Sequence, residues 1–304
     1  MQALFDAIAT MALSPSPGDA RRIFHGRGGL HPGCEHLALD AFPPALLLTS
    51  FQPLDEAALA AIGEALAARW RELSDAPLCW GYQCRGEGAG TRLMAGQLPE
   101  PHVVTEAGAR YLVHLLRGQN HGLFLDMAEG RRWVREHVAP GDTVLNLFAY
   151  SCAFSVVALQ AGAREVVNVD MASGALATGR TNHELNGLKA GARFLAHDIF
   201  SSWGKLTRGG PYELVVCDPP SFQKGSFVAT KDWARLARRL PALLAPGGHA
   251  LVCLNAPELG VGFLREAIES NAPGLAFVER VANPVTFPDV SPERGLKVLA
   301  YRRA

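Results

Sequence analysis

Long apolar runs, paired cysteines and net charge are all missing from this chain. None of its apolar stretches approaches the roughly 20 residues that a membrane helix needs, so a helical membrane span is not expected. Basic residues are absent from the start. The segment "MQALFDAIATMALSPSP" carries Asp6 and no Lys or Arg before Arg21, unlike the positive opening of a secretory signal, and reads as a short amphipathic helix. The cysteines at positions 34, 79, 84, 152, 217 and 253 form no C-x-x-C pair and have no histidines at zinc-finger spacing. No metal is expected, and a reducing, cytoplasmic setting is predicted. His25, His31 and His36 are irregularly spaced and read as a surface loop. Lys plus Arg equals Asp plus Glu at 29 each, so the chain as a whole makes no electrostatic case for nucleic acid. The stretch from Lys224 to Arg239 does, with Lys224, Lys231, Arg235, Arg238 and Arg239 against Asp232 alone.

With 48% hydrophobic and 19% charged residues over 304 positions, the composition is that of a folded protein of one large domain or one with a smaller companion. From about residue 141, short apolar segments alternate with helical ones. The strands are "TVLNLF", "EVVNVD", "ARFLAHD", "YELVVCD" and "HALVCLN", a pattern that predicts an α/β fold with a parallel sheet covered by helices on both faces. "AFVERV" and "LKVLAYRR" read as two last strands, one of them antiparallel. Before residue 110 the texture changes. "EHLALDAFPPALLLTSF" reads as two strands around a Pro-Pro turn, "DEAALAAIGEALAARWREL" as a helix, and "LCWGYQC" as a strand. The expected organisation is a small α+β module over 1–110, available for substrate binding, followed by a larger Rossmann-like domain over 111–304.

In open parallel sheets, ligands bind beyond the carboxyl ends of the strands. Asn146, Asp170, Asp198 and Asp218 all fall at such ends, which points to one shared ligand site. Asp170 lies about 20 residues past the first loop, where an acid can take the ribose hydroxyls of a nucleotide-like cofactor. The first loop decides which cofactor. "NLFAYSCAFSVVALQAG" has no glycine until Gly162, whereas a pyrophosphate needs a Gly-rich turn at a helix start. S-adenosylmethionine (SAM) has no phosphates, and the loop favours it over NAD.

The segment "YELVVCDPPSFQKGSF" ends a buried strand on an acid, two prolines and an aromatic. Prolines stop ladder pairing and hold the carbonyls in set directions. Asp218 and the Pro219 carbonyl are then placed to accept hydrogen bonds from the edge of a base, Pro220 to stiffen the turn, and Phe222 to stack on the base.

The run "LNLFAYSCAFSVVALQAGA", then Asp170, Asp198 and "DPPSF", with "QNHGLFLDM" upstream, resembles the bacterial large-subunit ribosomal RNA methyltransferases that act on cytosine carbon-5 or guanine N7. The likeness covers about 110 to 303, and more weakly the module from about 35. It implies a class I methyltransferase sheet in which Asp170 holds the ribose of SAM and Asp198 the adenine amino group. By the same resemblance, Asn146, Phe148, Ala149 and Tyr150 line the methionine side, and Phe124 and Asp126 close the cofactor pocket. Ser151-Cys152-Ala153 stands where these enzymes have Thr-Gly-Gly or similar.

RNA, ribosomal by that resemblance, is the expected partner. Carbon-5 of cytosine needs a cysteine nucleophile. Counting from Gly247-Gly248, the position that holds this cysteine in the cytosine enzymes is Asn255, and the guanine N7 enzymes have Asn in this region. The expectation is direct transfer to a base nitrogen, guanine favoured, with Cys217 and Cys253 as small core residues. Transfer to a small molecule or a protein, a non-catalytic SAM or RNA-binding module, and an NAD dehydrogenase are the other readings of these residues.

Overall fold

Apolar residues three and four apart along Glu56–Leu73 turn Leu59, Ile62, Leu66 and Trp70 to one side of a helix, where all four are buried. The Asp55 carboxylate caps its start by accepting from the Ala58 N–H at 2.7 Å. The computed structural model describes residues 1–12, 18–223 and 225–304, and the chain folds as two units. The helix belongs to the first, Met1–Leu125 with Pro284–Ser291.

In chain order this unit has α1 (Gln2–Thr10), β1 (Arg21–His25), β2 (Leu37–Phe42), β3 (Ala45–Ser50), α2 (Glu56–Leu73), β4 (Cys79–Cys84), β5 (Gly90–Ala95), β6 (Val103–Glu106) and β7 (Ala109–Leu112). The amphipathic start expected from the sequence is helical as α1, and its positions 13–17 lie outside the described residues. Strands β1 to β5 form one sheet in that order. Only β3 and β4 are parallel, because α2 supplies the crossover that a parallel pair needs. Helices α1 and α2 pack on the sheet through Leu4, Ile8, Leu66, Leu48 and Trp80. Residues 111–125 lie with this unit, past the boundary near 110 read from the sequence. Pro284–Ser291 returns to it: the Val290 N–H donates to the Gly28 carbonyl at 2.8 Å, and the Arg22 guanidinium lies 4.4 Å from the Phe287 ring centroid.

The second unit is Asp126–Asn283 with Pro292–Ala304. It contains α3 (Ala128–His137), β8 (Thr143–Leu147), α4 (Ala153–Gln160), β9 (Glu165–Asp170), α5 (Ser173–Leu185), β10 (Ala192–Ala196), α6 (Trp203–Gly209) and β11 (Tyr212–Cys217). Then come β12 (Phe222–Gln223), β13 (Phe227–Val228), α7 (Ala229–Ala237), α8 (Leu240–Leu243), β14 (Leu244–Leu254), α9 (Val261–Glu269), β15 (Leu275–Val281) and β16 (Lys297–Arg303). Seven strands form a sheet in the order β10-β9-β8-β11-β14-β16-β15. The first five are parallel, and β16 runs antiparallel to both neighbours.

The chain winds outward from β8 to β10, then returns to lay β11 on the other side of β8. Strands β8 and β11 are therefore neighbours whose following segments leave in opposite directions, and their carboxyl ends open a crevice. Both strands are buried, Val144, Leu145, Val215 and Val216 almost completely, which explains their unbroken apolar runs.

The neutral total of charge conceals a division. The first unit has 9 arginines and no lysine against 13 acids, and the second has 20 basic residues against 16 acids. Among the described residues no helix is long and apolar enough to cross a membrane.

Candidate functional site

Five residues carry the chain from β8 to α4, and three of them, Phe148, Tyr150 and Cys152, are left-handed, with φ of 58°, 46° and 59°. Each such non-glycine residue costs roughly 1–2 kcal/mol and persists only where the surroundings hold it. Here they do. The Tyr150 N–H donates to Asp170 Oδ2 at 2.8 Å, the Ala149 N–H to the Val169 carbonyl at 3.1 Å, and Asn182 Nδ2 to the Ser151 carbonyl at 2.9 Å. Cys152 takes a conformation that glycine would accept without cost, and Gly179 on α5 leaves space for its sulfur.

Asp170 closes β9 half-buried, its second oxygen accepting from the Ala172 N–H at 2.8 Å. The His197 N–H donates to the Asp170 carbonyl at 3.1 Å, which brings the next residue, the exposed Asp198, close to Asp170. Asp198 Oδ1 accepts from the Phe200 N–H at 2.9 Å. Phe148 is half-buried, edge-on to Phe227 at 5.4 Å. Ala149 is buried with Cys152 and Leu176, and Tyr150 is half-buried.

Asn146 lies beneath this loop, 1% exposed, with its amide donating to Asn168 Oδ1 at 2.9 Å. Asn168 in turn donates to Ser155 Oγ at 3.0 Å, and Ser155 meets His183 Nε2 at 2.9 Å. Burial lowers the His183 pKa and keeps the ring neutral. Its Nδ1 lies 2.7 Å from the Gly179 carbonyl, an acceptor only, so Nδ1 carries the proton and Ser155 donates to Nε2. This buried relay joins β8, β9, α4 and α5 under the loop.

At the end of β11 the Asp218 carboxyl is half-buried, Pro219 buried and Pro220 half-buried. Burial, and then the negative charge of Asp126, push the Asp218 pKa up to about 7, against the opposing charge of Arg131. The second unit thus brings Asp126 and Asp218 together, with the buried Arg131 beside them. Phe124 is exposed and lies in the first unit. Beyond the prolines, β12 and β13 pair as a small hairpin that aligns Phe222 with Val228 and Gln223 with Phe227. Phe222 is 72% exposed and Phe227 1%, so these two aromatics have opposite fates. Asn255 is exposed just past β14, and the carbonyl of the next residue, Ala256, accepts from the fully buried Lys297 ammonium at 2.6 Å. All six cysteines are free and buried. Lys224, counted in the basic run, lies outside the described residues, of which none group as a possible metal site.

A family model described as S-adenosylmethionine-dependent methyltransferase matches residues 21–302. The chain belongs to this family. The family's description names SAM as the cofactor of its methyltransferases. The ribosomal RNA large subunit methyltransferase I of Aeromonas salmonicida is 37% identical over 170 residues, 53% of this chain and 42% of the relative. That of Erwinia tasmaniensis is 33% identical over 216 residues, 66% and 52%. The chain therefore spans about half the length of the curated relatives it matches. A proposed methyltransferase solved in complex with SAH superposes with a TM-score of 0.83 at 25% identity, covering 99% of this chain and 81% of that one. A proposed SAM-dependent methyltransferase from Streptococcus mutans gives 0.82 with the same identity and coverage.

The crevice of this methyltransferase suits such a cofactor. The loop after β8 is pinned without phosphate-binding glycines, and Asp170 and Asp198, which could hold a nucleoside, lie at the end of β9 and just past the end of the neighbouring β10. Sequence reading missed Asn168, Ser155 and His183, although an asparagine inside each of two apolar strands is a signal for a buried polar pair, and Asn146 lies opposite Asn168 in the sheet. It also missed Arg131 and Lys297, charged residues whose burial no local pattern announces.

Proposed function

We propose that this methyltransferase acts on a base of large-subunit ribosomal RNA, transferring the methyl group directly to a nitrogen, with guanine the favoured base. The observation that carries the reading is an exposed aromatic beside a half-buried acid where no cysteine is exposed. Phe222, 72% open to solvent, stacks on a base turned out of its helix, a contact worth roughly 1–3 kcal/mol. Asp218 and the Pro219 carbonyl accept from the base edge, and Pro220 keeps the turn rigid. Guanine offers a carboxylate two adjacent donors, N1–H and N2–H. Cys217 and Cys253, next to Asp218 in the sheet, are fully buried, and burial raises their thiol pKa values, which suits core packing and not attack on a pyrimidine. Asn255 stands exposed where a covalent mechanism would need a thiolate. A ring nitrogen has its own lone pair and needs no such help.

SAM supplies the electrophilic methyl of a sulfonium. Asp170 holds the ribose hydroxyls and Asp198 the adenine amino group. Phe148, Ala149 and Tyr150 line the methionine side with Asn146 supporting them from below, and Asp126 closes the pocket. Holding acceptor and methyl in line contributes on the order of 7–11 kcal/mol to such a reaction. The first unit assists in binding the RNA, and the setting is cytoplasmic. The names of the relatives support ribosomal RNA as substrate.

The test compares modified nucleosides by mass spectrometry in RNA from cells with and without the protein. Loss of a methylguanosine is expected. A second arm incubates the enzyme with RNA containing 5-fluorocytosine, where a stable covalent adduct that one cysteine variant abolishes would replace guanine nitrogen by cytosine carbon-5. Unchanged RNA would move the acceptor to a small molecule or a protein.

A further inference from the structure

Helices α6, α7 and α8 and their connections carry Lys205, Arg208, Lys231, Arg235, Arg238 and Arg239, all exposed. The one acid on these helices, Asp232, is already committed. Its carboxylate accepts from the Val228 N–H at 2.9 Å and from Arg235 at 2.6 Å. Through this surface runs a line of aromatic contacts that starts at the acceptor hairpin. Phe227, which pairs with Gln223 beside the exposed Phe222, stacks on Phe200 at 6.3 Å. Phe200 meets Trp203 edge-on at 5.8 Å. Two arginines cover the line: Arg235 lies 4.3 Å from the Phe200 centroid and Arg239 lies 5.8 Å from that of Trp203. Phe200 and Trp203 are themselves only half-buried.

From this we infer that the α6–α8 face is a track for single-stranded RNA on one side of the target base, with the basic residues on phosphates and the guanidinium planes of Arg235 and Arg239, held over Phe200 and Trp203, presented for stacking on bases. The inference rests on the RNA reading of the acceptor loop and gives it a direction. A strand whose base occupies the Asp218–Phe222 turn leaves the crevice along Phe200 and Trp203. Electrostatics favours an anionic strand on this surface over a neutral or cationic partner. Asp232 is paired with Arg235, which leaves the five other cations of these helices against the exposed Asp198 two residues before Phe200. Alternation of cations with rings is what a sequence-tolerant single-strand groove requires. The sequence pointed only to the basic run of α7. Folding adds Lys205 and Arg208 from α6, which packs on α8.

The experiment titrates the full chain with a 30-nucleotide poly(U) RNA at several salt concentrations. Binding to a single strand weakens with salt at a slope of roughly 0.7 per phosphate neutralised. A Lys205→Gln, Arg208→Gln, Arg238→Gln triple variant should show a slope shallower by about 2 and bind at least tenfold more weakly near 0.1 M salt, with SAM affinity unchanged. Lys189→Gln, which removes one cation on the loop before β10, should match the parent and is the control for Arg238→Gln alone. A triple variant that keeps the parent's slope and affinity overturns the track and leaves the RNA reading intact. A parent that shows no salt-dependent binding removes both. If the triple variant loses its native circular dichroism, Arg238→Gln alone decides, with an expected change in slope of about 0.7.

Discussion

Cys152 and Gly179 fit each other closely: a methyl group on Gly179 would stand 2.5 Å from the Cys152 sulfur and 3.0 Å from its Cβ. One residue is left-handed at the start of a helix, and the other lacks a side chain in the middle of the next. Glycine inside a helix ordinarily costs about 0.5–1 kcal/mol relative to alanine, so its place in α5 is explained by the sulfur it accommodates.

Gly179→Ala should therefore destabilise the chain by about 1–3 kcal/mol, as overpacking does, and should weaken SAM binding by displacing the loop. Adding Cys152→Gly should restore both. Urea unfolding and calorimetric titration of SAM measure the two effects. A Gly179→Ala chain as stable as the parent would mean that the loop has room the packing denies.

Asp170 receives one backbone N–H of the loop and one of the turn that follows β9. Asp170→Ala releases both and removes the acid assigned to the ribose. SAM affinity should fall at least hundredfold, about 2.7 kcal/mol, and NAD should bind neither form. Binding within threefold of the parent would take Asp170 out of the cofactor site.

Asp218→Ala should abolish transfer and leave SAM affinity within about tenfold. Its raised pKa adds a test by pH. Below the unfolded value near 4 the carboxyl is protonated in both states. Between 4 and about 7 the unfolded chain has given up a proton that the folded chain still holds, so stability falls as pH rises through this window and levels off above it. His183, kept neutral by burial, has the opposite slope, since stability is lost as pH falls below the unfolded histidine value. The Asp218 contribution is read as the difference between parent and Asp218→Asn, on the order of a few kcal/mol at pH 7.5 relative to pH 4.5. Parallel curves for the two proteins would show a carboxyl with an ordinary pKa.

Lys297→Met should cost about 1–3 kcal/mol, because the Ala256 carbonyl loses a charged donor. The turn that presents Asn255 should loosen, and kcat should fall more than SAM affinity. Equal stability in urea would mean that the ammonium contributes no more than a methyl group.

The parallel sheet and the cofactor were legible because they rest on local patterns. An apolar run such as "EVVNVD" can only be buried, and the acid at its end can only be at the sheet's edge. Short elements were less so. The α6 segment "WGKLTRG" has two glycines in seven residues, a composition that argues against a helix, and packing on α8 supplies what propensity does not. The "LAPGG" stretch reads as a turn, yet Leu244–Leu254 is one strand that absorbs it with a register shift against β11. Phe222 and Phe227 are five residues apart, and only the pleat of the hairpin decides which is buried. Asn146 sits at the expected strand end, but its partner Asn168 is 22 residues away, a pairing that only the assembled sheet creates.

The division of charge between the two units changes what the isoelectric point of 7.1 means. It is the mean of an acidic part and a basic part, each of which keeps its sign at neutral pH. Near that pH the whole chain lacks the self-repulsion that keeps charged proteins apart in solution, while each copy offers every other copy a surface of opposite sign. Added salt would then screen attraction between copies at moderate concentration, and under the proposed RNA reading it would loosen the strand at the same time, so the conditions that best keep the free chain dispersed would be those that hold such a substrate least.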